Sequence, residues 1–221
     1  MTRQIRWRFN HLRSCGVMLA AAMLVLIGAA GASAAGDAAA DKDRAKNEEF
    51  VNRLFAGPVT KNKTYACFIR QYDAEHLARH PLQKVSAMEL LVTAETVPES
   101  DGPSYSFRLG VRYRDKSGAF DSSGDCHHSE ISADTDNEAR LDCGVDCDGG
   151  GISIGLTKDY KATLIRLERI RIWRNNKPED DASDSLVAGA DDKIFRLDRA
   201  GFEECRSLVT DRKELAAMRR K

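Results

Sequence analysis

The sequence predicts a mainly β domain, an antiparallel barrel or sandwich of about eight strands with a short N-terminal helix and a C-terminal helix. Three observations support this fold class: alternating apolar and polar residues from Thr64 onward, turn-forming residues between the alternating segments, and helical apolar spacing near both ends. In the stretch YSFRLGVRYRD the alternation is clearest, and one face is apolar or aromatic throughout: Tyr105, Phe107, Leu109, Val111 and Tyr113. That face is expected to line the core.

Eight segments carry the strand pattern, with short turn-rich connections between them. They are residues 64–71, 85–95, 105–115, 118–132, 139–146, 150–157, 162–174 and 191–199. In the seventh segment the alternation slips at Glu168 and Arg169, which indicates a β-bulge or a bend. Residues 175–192 contain acids and turn formers without periodicity, and we predict an exposed acidic loop there.

Helical spacing marks a segment at each end of the domain. In NEEFVNRLFAGP the apolar residues fall on one helical face, and Gly57 and Pro58 follow as a stop signal. In FEECRSLV, near the C-terminus, the apolar residues again share one face. The two faces comprise Phe50, Val51, Leu54 and Phe55, and Phe202, Cys205, Leu208 and Val209. Each helix is expected to pack this face on the sheet.

Residues 1–34 have the composition of a secretory signal peptide. Four arginines and no acid precede a long apolar run, and the tripeptide ASA supplies small residues at the spacing that a signal peptidase recognises. Cleavage is expected after about Ala34; an uncleaved membrane anchor is the alternative. The small and charged residues 35–46 then predict a mobile leader, and residues 47–221 predict a single β-rich domain.

Charge and hydropathy argue against two classes of partner. The chain has 34 basic and 34 acidic residues, and loss of the four signal arginines leaves 30 basic residues. Such a mildly acidic chain lacks the basic surface of a nucleic-acid-binding protein, so no nucleic-acid partner is expected. No second apolar run is long enough to cross a bilayer, so no stable membrane insertion is expected after signal cleavage.

The five cysteines of the mature chain are expected to form disulfides, because the signal directs the chain to an oxidising compartment. Cys126 and Cys143 lie at equal distances from the centre of the loop ADTDNE, so a symmetric hairpin would place them opposite each other. Cys67 and Cys205 would join the two ends of the domain. Cys147 is then a free thiol, although a pairing in which Cys147 replaces Cys143 is also open. The stretch LDCGVDCDGGG is accordingly interpreted as a disulfide corner whose glycines permit a sharp turn.

A metal site is the alternative interpretation of the same hairpin. Thiolate and imidazole groups suit zinc or copper, and the hairpin would gather five candidate ligands. These are Cys126, His127, His128, Cys143 and Cys147. Adjacent histidines on a strand point to opposite faces, so only one of them could join the cysteines. If the cysteines form disulfides instead, no cofactor is expected.

Weaker metal patterns are more simply interpreted as solvated surface. His76 and His80 have the spacing of a metal-binding helix, but the glutamate of a zinc-peptidase motif is missing. The acids of residues 134–138 and 146–148 could contact calcium, but Thr157 stands where the second loop would need a bidentate glutamate.

Enzyme signatures are absent from the sequence. It contains no nucleophile elbow, no phosphate-binding loop and no H-E-x-x-H motif. A thiol or hydrolytic enzyme is nevertheless a second alternative, because Cys147 could act as a nucleophile with His127 or His128 as its base. A free thiol is more simply the unpaired member of an odd set.

Arginines concentrate on two predicted strands. Their positions are Arg108, Arg112 and Arg114 on one strand, and Arg166, Arg169, Arg171 and Arg174 on another. If these strands are neighbours, the side chains form a basic patch suited to the carboxylates or phosphates of an envelope polymer or an acidic partner. The simpler alternative is a row of surface arginines paired with nearby acids.

The stretch CGVDCDGGG, and DDKIFRLDR with the cysteine that follows it, resemble exported proteins of Gram-negative bacteria for which no activity is known. The resemblance implies a periplasmic or secreted location and nothing about substrate or catalytic residues. We therefore expect an exported, disulfide-stabilised protein with a binding or structural role rather than a catalytic one. Its partner would be an envelope component or a small ligand.

Overall fold

The structure, a computed structural model, describes residues 30–59, 63–96, 102–174 and 184–218. Most of the predicted signal segment lies outside these residues. The chain divides into residues 1–38 and a compact unit of residues 39–221, and the following account concerns the second unit.

The described residues form nine strands, three α-helices and two 3₁₀ helices. The strands are β1 (Thr64–Gln71), β2 (Val85–Thr96), β3 (Pro103–Tyr113), β4 (Phe120–His128), β5 (Leu141–Gly144), β6 (Gly150–Leu156), β7 (Ala162–Arg174), β8 (Asp184–Val187) and β9 (Ile194–Ala200). The helices are α1 (Ala30–Leu54), α2 (Ala74–Arg79) and α3 (Arg212–Met218), with a first 3₁₀ helix at Ala133–Thr135 and a second at Phe202–Leu208. None of the helices in the described ranges is long and apolar enough to cross a membrane.

The nine antiparallel strands form one sheet that curls into a ring. The strand order is β6-β5-β4-β3-β2-β1-β9-β7-β8, and a further pairing of β6 with β7 closes the ring. The predicted fold class, mainly β with a helix at each end, is confirmed, and the closed ring corresponds to the barrel rather than to the sandwich. Closure pairs β6 with β7 and so removes the edge that β6 would otherwise present, whereas β8 is paired in the described residues with β7 alone.

The inside of the ring is filled by the apolar faces that the alternation predicted. From β3, for example, Phe107, Leu109 and Val111 are each 1% exposed. The largest side chains that are fully buried in this core include Phe68, Met88, Leu90, Phe107, Leu109, Leu141, Ile154, Ile165, Ile170 and Phe195. Apolar burial of this extent is the main stabilising contribution to a domain of this size.

A bulge interrupts β7 where the sequence predicted one. Leu167 pairs with Ile152 and Ile170 pairs with Gly150, so β7 contains one more residue than β6 between these pairs. The predicted slip at Glu168 and Arg169 is thereby confirmed. Bulges increase the bending and twist of a strand, and β7 pairs with four other strands, β4, β6, β8 and β9.

The prediction of an exposed loop over residues 175–192 is wrong for Asp184–Val187, which form β8. This strand pairs with the second half of β7, and its Leu186 is buried opposite Ile170. Four residues with a single inward apolar side chain carry no recognisable alternation. Residues 175–183 of the predicted loop lie outside the described part of the chain.

Helix α1 covers one end of the ring. Phe50, Val51, Leu54 and Phe55 join the same core cluster as the inward faces of the strands, and the Phe55 and Tyr105 rings lie 6.4 Å apart. In the described residues the helix extends over Ala30–Leu54 and is not limited to the segment after residue 47, so residues 35–46, predicted as a leader, are helical. From Ala38 to Glu49 the side chains of this helix are mostly exposed.

The C-terminal segment packs on the outside of the ring instead. Residues Phe202–Leu208 form the expected C-terminal helix, in 3₁₀ geometry, and α3 follows it. A second apolar cluster lies between this segment and the outer faces of β1 and β2: Cys67, Leu91, Cys205, Leu208 and Val209. The domain therefore has a large inner core and a small outer one.

Candidate functional site

Two disulfide bonds join parts of the chain that are distant in sequence. The Cys67–Cys205 bond links β1 to the second 3₁₀ helix across 138 residues, and both cysteines are buried. The Cys126–Cys143 bond links opposed residues of β4 and β5 that are 17 residues apart. These are the four cysteines that the spacing selected, and Cys147 is an exposed free thiol.

The stretch LDCGVDCDGGG spans β5, a tight turn and the start of β6. Cys147 and Asp148 adopt positive φ angles of 55° and 58°, and Gly150 adopts 72°. A Cβ atom at Gly150 would lie 2.1 Å from the carbonyl oxygen of Arg169, so the bulge in β7 requires a glycine there. The guanidinium of Arg171 donates to the Cys147 carbonyl oxygen at 3.2 Å, and that of Arg169 donates to the Asp148 carbonyl. The corner is thus fixed to β7 by two arginines.

The candidate metal ligands of this hairpin are not gathered into one site. The sulfurs of Cys126 and Cys143 are bonded to each other and provide no thiolate. His128 faces the core, where its ring meets that of Tyr105 edge-on at 5.4 Å, whereas His127 is exposed on the other face of β4. Across the described ranges, no three histidine, cysteine, aspartate or glutamate residues are arranged to hold a metal ion.

The cysteine and the two candidate histidines of the enzyme alternative lie beyond opposite ends of β5. His127 and His128 pair with Asp142 and Leu141 at the start of that strand, whereas Cys147 follows its other end. Burial, and to a lesser extent the neighbouring His127, lowers the pKa of His128, so its neutral form is favoured at pH 7. The geometry provides no paired nucleophile and base here.

The arginines of β3 make separate contacts. Arg108 donates to Oε2 of Glu214 in α3 at 2.9 Å. Arg114 donates to the carbonyl oxygens of Leu77, His80 and Gln83 at 3.2–3.4 Å, which holds the end of α2. Arg112 is exposed and lines a concavity of about 290 Å³ beside the second 3₁₀ helix.

The remaining arginines of the predicted patch lie on β7, which does not pair with β3. Two of them, Arg169 and Arg171, hold the turn at Cys147 as described above. A third, Arg166, lies 3.7 Å from Oδ2 of Asp136. Arg174 donates to the Ser117 carbonyl oxygen at 3.2 Å and stacks on the Phe120 ring. Most of these cations therefore already have a carboxylate or carbonyl partner within the chain.

A buried arginine outside the predicted patch organises the loop between β4 and β5. Arg140 is 4% exposed, and its guanidinium donates to the Thr135 carbonyl oxygen at 2.8 Å and to Oδ2 of Asp136 at 3.0 Å. Its aliphatic stem lies over Gly155 of β6, about 3.7 Å from where a Cβ atom would be. The sequence carried no signal for this role, since an isolated arginine after a loop has no periodicity.

The other predicted ligands make ordinary local contacts. The His76 and His80 rings stack with their centroids 4.4 Å apart, and Nε2 of His76 lies 3.0 Å from Oε1 of Gln83. Asp136 is occupied by the two arginines described above. His76 and Asp136 thus each have a polar partner within the protein.

The two larger concavities flank α1. One has a volume of about 690 Å³ and lies between α1 and the end of β9; the other, of about 360 Å³, lies between α1 and the β4–β5 loop. Both are lined by Glu49, Arg53 and Tyr160. We call the pair of concavities the α1 groove. It contains neither a cysteine nor a histidine.

Arg199 of β9 fixes the helix that forms this groove. Its guanidinium donates to the carbonyl oxygens of Leu54 at 2.9 Å, Arg53 at 2.8 Å and Tyr160 at 3.4 Å. The same group lies 4.7 Å from the centre of the Phe68 ring. A cation at the last carbonyl groups of a helix is also favoured by the helix dipole.

Tyr160 is the exposed aromatic residue of the groove, and sequence reasoning missed it. It lies in the turn between β6 and β7 with a φ of 58°, which is uncommon for a residue other than glycine. The guanidinium of Arg53 lies 4.7 Å from its ring centre, and 41% of the residue is exposed. No alternating or helical pattern includes Tyr160, so only the fold brings it beside α1.

No known family, curated protein or solved structure matches this chain.

Proposed function

We propose that this chain is an exported, periplasmic protein of the cell envelope, stabilised by disulfides, that acts by binding or as a structural component rather than by catalysis. The observation that carries the proposal is the Cys67–Cys205 bond, because it spans 138 residues between two buried sulfurs. Such bonds persist in oxidising compartments and are rare in the cytosol. The basic, apolar and small-residue organisation of residues 1–34 supports export independently.

A binding role is supported by the kind of surface that the fold presents. The two concavities beside α1 are open grooves lined by charged, polar and aromatic side chains. Among the described residues that line them there is no cysteine or histidine that could serve as a nucleophile or a base. A preformed groove on a stapled scaffold suits recognition, because little conformational entropy is lost on binding.

The test is to express the full chain with its own N-terminus in a Gram-negative host and to measure intact masses after alkylation without reductant. We expect the periplasmic fraction to contain a chain that begins after about Ala34 and has one alkylated cysteine, Cys147. A chain that lacks residues 1–34 from the start is the control, and it should remain in the cytosol with its five cysteines alkylated.

Recovery of an unprocessed chain from the cytosol with all six cysteines alkylated would contradict the proposal. Three alkylated cysteines in the periplasmic chain, Cys126, Cys143 and Cys147, would instead favour the metal alternative, and zinc or copper analysis of that sample would then decide it.

A further inference from the structure

The α1 groove combines features that narrow the class of its ligand. Two concavities meet at one exposed aromatic side chain, Tyr160, and share the oppositely charged Glu49 and Arg53. The Glu49 carboxylate lies 3.9 Å from the Arg53 guanidinium, so the pair is loose and the carboxylate can bind other partners, while the guanidinium also lies 4.7 Å from the centre of the Tyr160 ring. The question is which chemistry such a surface recognises.

The backbone of Tyr160 is held in its unusual conformation by the turn that carries it. The Tyr160 amide donates to the Thr157 carbonyl oxygen at 2.9 Å, and the Thr157 hydroxyl donates to Oδ1 of Asp159 at 2.6 Å. The hydrogen bond from Thr157 is the main cause that lowers the pKa of Asp159, so this carboxylate is ionised at pH 7. On the other side, Arg199 donates to the Tyr160 carbonyl. Strained residues that the surrounding structure fixes in this way concentrate at binding sites.

The charges of the groove are mixed and nearly balanced. The larger concavity contains the acids Glu48 and Glu49 and the cations Arg53 and Arg199. The smaller concavity adds Glu138 and two lysines to the shared pair. A surface with both signs interspersed creates no strong net field, so it does not select a highly charged polymer of either sign.

Two of these cations are also occupied by the protein itself. Arg199 donates to three carbonyl oxygens, and Nζ of Lys46 donates to the Asn137 carbonyl oxygen at 3.2 Å. These two cations hold the backbone that forms the walls of the groove, so they are less available to bind an anionic ligand. An apolar ligand is equally disfavoured, because open grooves with so many charged groups would leave those groups desolvated and unpaired.

We infer that the α1 groove binds an oligosaccharide. Sugar rings present pairs of hydroxyl groups. These donate hydrogen bonds to carboxylates and accept hydrogen bonds from guanidinium and ammonium groups. Sugar rings also have an apolar C–H face that packs on an aromatic ring. In this arrangement Tyr160 provides the ring, while Glu49, Glu48 and Lys158 contact hydroxyl groups on either side of it. The inference rests on the proposed function, because an exported binding protein meets the glycans of the envelope.

The test uses the protein expressed with its own N-terminus, purified from the periplasm after export and labelled with ¹⁵N. We would titrate it with two neutral tetrasaccharides, one of N-acetylglucosamine and one of glucose, and with tetraglutamate and tetralysine peptides as charged probes. The readouts are amide shift changes in residues 45–57 and 157–161, together with calorimetric affinities. We expect saturable binding of at least one tetrasaccharide at these residues and none of the peptides.

Matched variants separate the aromatic contact from the fold. Tyr160→Asn removes the ring while tolerating the positive φ, and it should weaken tetrasaccharide binding about tenfold. Tyr160→Phe keeps the ring and should bind within about twofold of the parent. Leu82→Asn changes a residue that is 61% exposed at the other end of the ring, and it should bind as the parent does. If Tyr160→Asn fails to fold, Glu49→Ala tests the same groove through its hydroxyl contacts.

Failure of this inference differs from failure of the proposed function. An exported chain with both disulfides that binds neither tetrasaccharide, or binds a charged peptide in the groove instead, would overturn the oligosaccharide assignment and leave export intact. Tetrasaccharide binding that Tyr160→Asn and Glu49→Ala do not weaken would also overturn it. A chain retained in the cytosol would contradict the proposed function.

Discussion

The two ends of the chain are attached to the same ring by different means. Helix α1 inserts four large apolar side chains into the inner core, and Leu54 is completely buried. The C-terminal segment lies outside the ring over a smaller cluster, in which five of the described residues are buried, two of them the cysteines of one disulfide. A segment that buries little apolar surface gains little stability from the hydrophobic effect, and here a disulfide bond supplies the attachment instead.

The polar contacts of the two attachments also differ in kind. At α1, one arginine, Arg199, donates to consecutive backbone carbonyls of the helix end. At α3, Glu214 accepts from the Tyr65 hydroxyl and from Arg108, both at 2.9 Å. The first contact is between a cation and fixed dipoles, whereas the second depends on the ionisation of a carboxyl. Their stabilities are therefore expected to respond differently to mutation and to pH.

The largest effect is expected when the disulfide of the C-terminal segment is removed. By the chain-entropy relation, the 138-residue bond of Cys67→Ala/Cys205→Ala is worth about 5 kcal/mol, and the 17-residue bond of Cys126→Ala/Cys143→Ala about 3 kcal/mol. Urea unfolding of both double variants measures the free energies. A smaller loss in the first variant than in the second would show that the C-terminal segment is held mainly by its noncovalent contacts.

The next effect tests the apolar attachment of α1. Leu54→Ala empties a position that is 0% exposed, and we expect the free energy of unfolding to fall by about 3 kcal/mol. Glu48→Ala on the exposed side of the same helix should change it by less than about 0.5 kcal/mol. Equal losses in the two variants would mean that α1 is not anchored through the core.

Removing the polar anchor of α1 should have an intermediate effect. Arg199→Met retains much of the apolar contact with Phe68 but removes the side-chain donor of the Leu54 and Arg53 carbonyls, which should cost about 2 kcal/mol. Arg199→Lys retains one donor and should recover part of that loss. Hydrogen exchange of residues 50–55 measures the local effect, and unchanged exchange in Arg199→Met would contradict the anchoring role.

The smallest effect concerns pH and the attachment of α3. Burial opposes ionisation of Glu214, but the hydrogen bonds from Arg108 and Tyr65 outweigh it, so the pKa of this carboxyl lies below its usual value. The unfolded chain then binds more protons in acid, so this stabilisation is fully present above the usual pKa of about 4.3 and declines as pH falls through the lowered value.

Comparison of the parent with Glu214→Gln between pH 7 and pH 3 isolates this contribution. The parent should be more stable at pH 7, by less than about 1 kcal/mol because the ion pair is partly exposed, and the difference should shrink in acid. Glu203→Gln, an exposed carboxyl of the second 3₁₀ helix, is the control and should show no such trend. A difference that is constant over this range would contradict the role of Glu214.

The inner core could be predicted from the sequence because its signal is repeated. Strand β3 alternates without a break from Tyr105 to Tyr113, and β7 alternates on both sides of its slip, which made the slip visible. Strand β8 has four residues and one buried side chain, too few to show a period. The apolar spacing of Phe202, Cys205 and Leu208 fits a helix of either type, so the 3₁₀ geometry could not be distinguished from an α-helix.

The candidate groove could not be predicted, because it depends on tertiary contacts between residues with no shared pattern. Tyr160 lies in a turn, Arg53 on a helix and Arg199 on a strand, and they meet only when the ring closes. The predicted arginine patch illustrates the converse difficulty. Sequence spacing gave two arginine-rich strands, but strand order decides whether β3 and β7 are neighbours, and they are not.

The position of the Cys67–Cys205 bond also determines how the molecule carries mechanical load. When the chain is pulled from its two ends, tension passes through the sulfur–sulfur bond and bypasses the 138-residue span between the cysteines. The residues before Cys67, which include α1, and those after Cys205, which include α3, can still lengthen. Reduction of the bond would transfer the load to the β1–β9 pairing and expose the whole ring to extension. For a protein whose ends are both tethered, this single bond would act as the limit on how far the molecule can stretch.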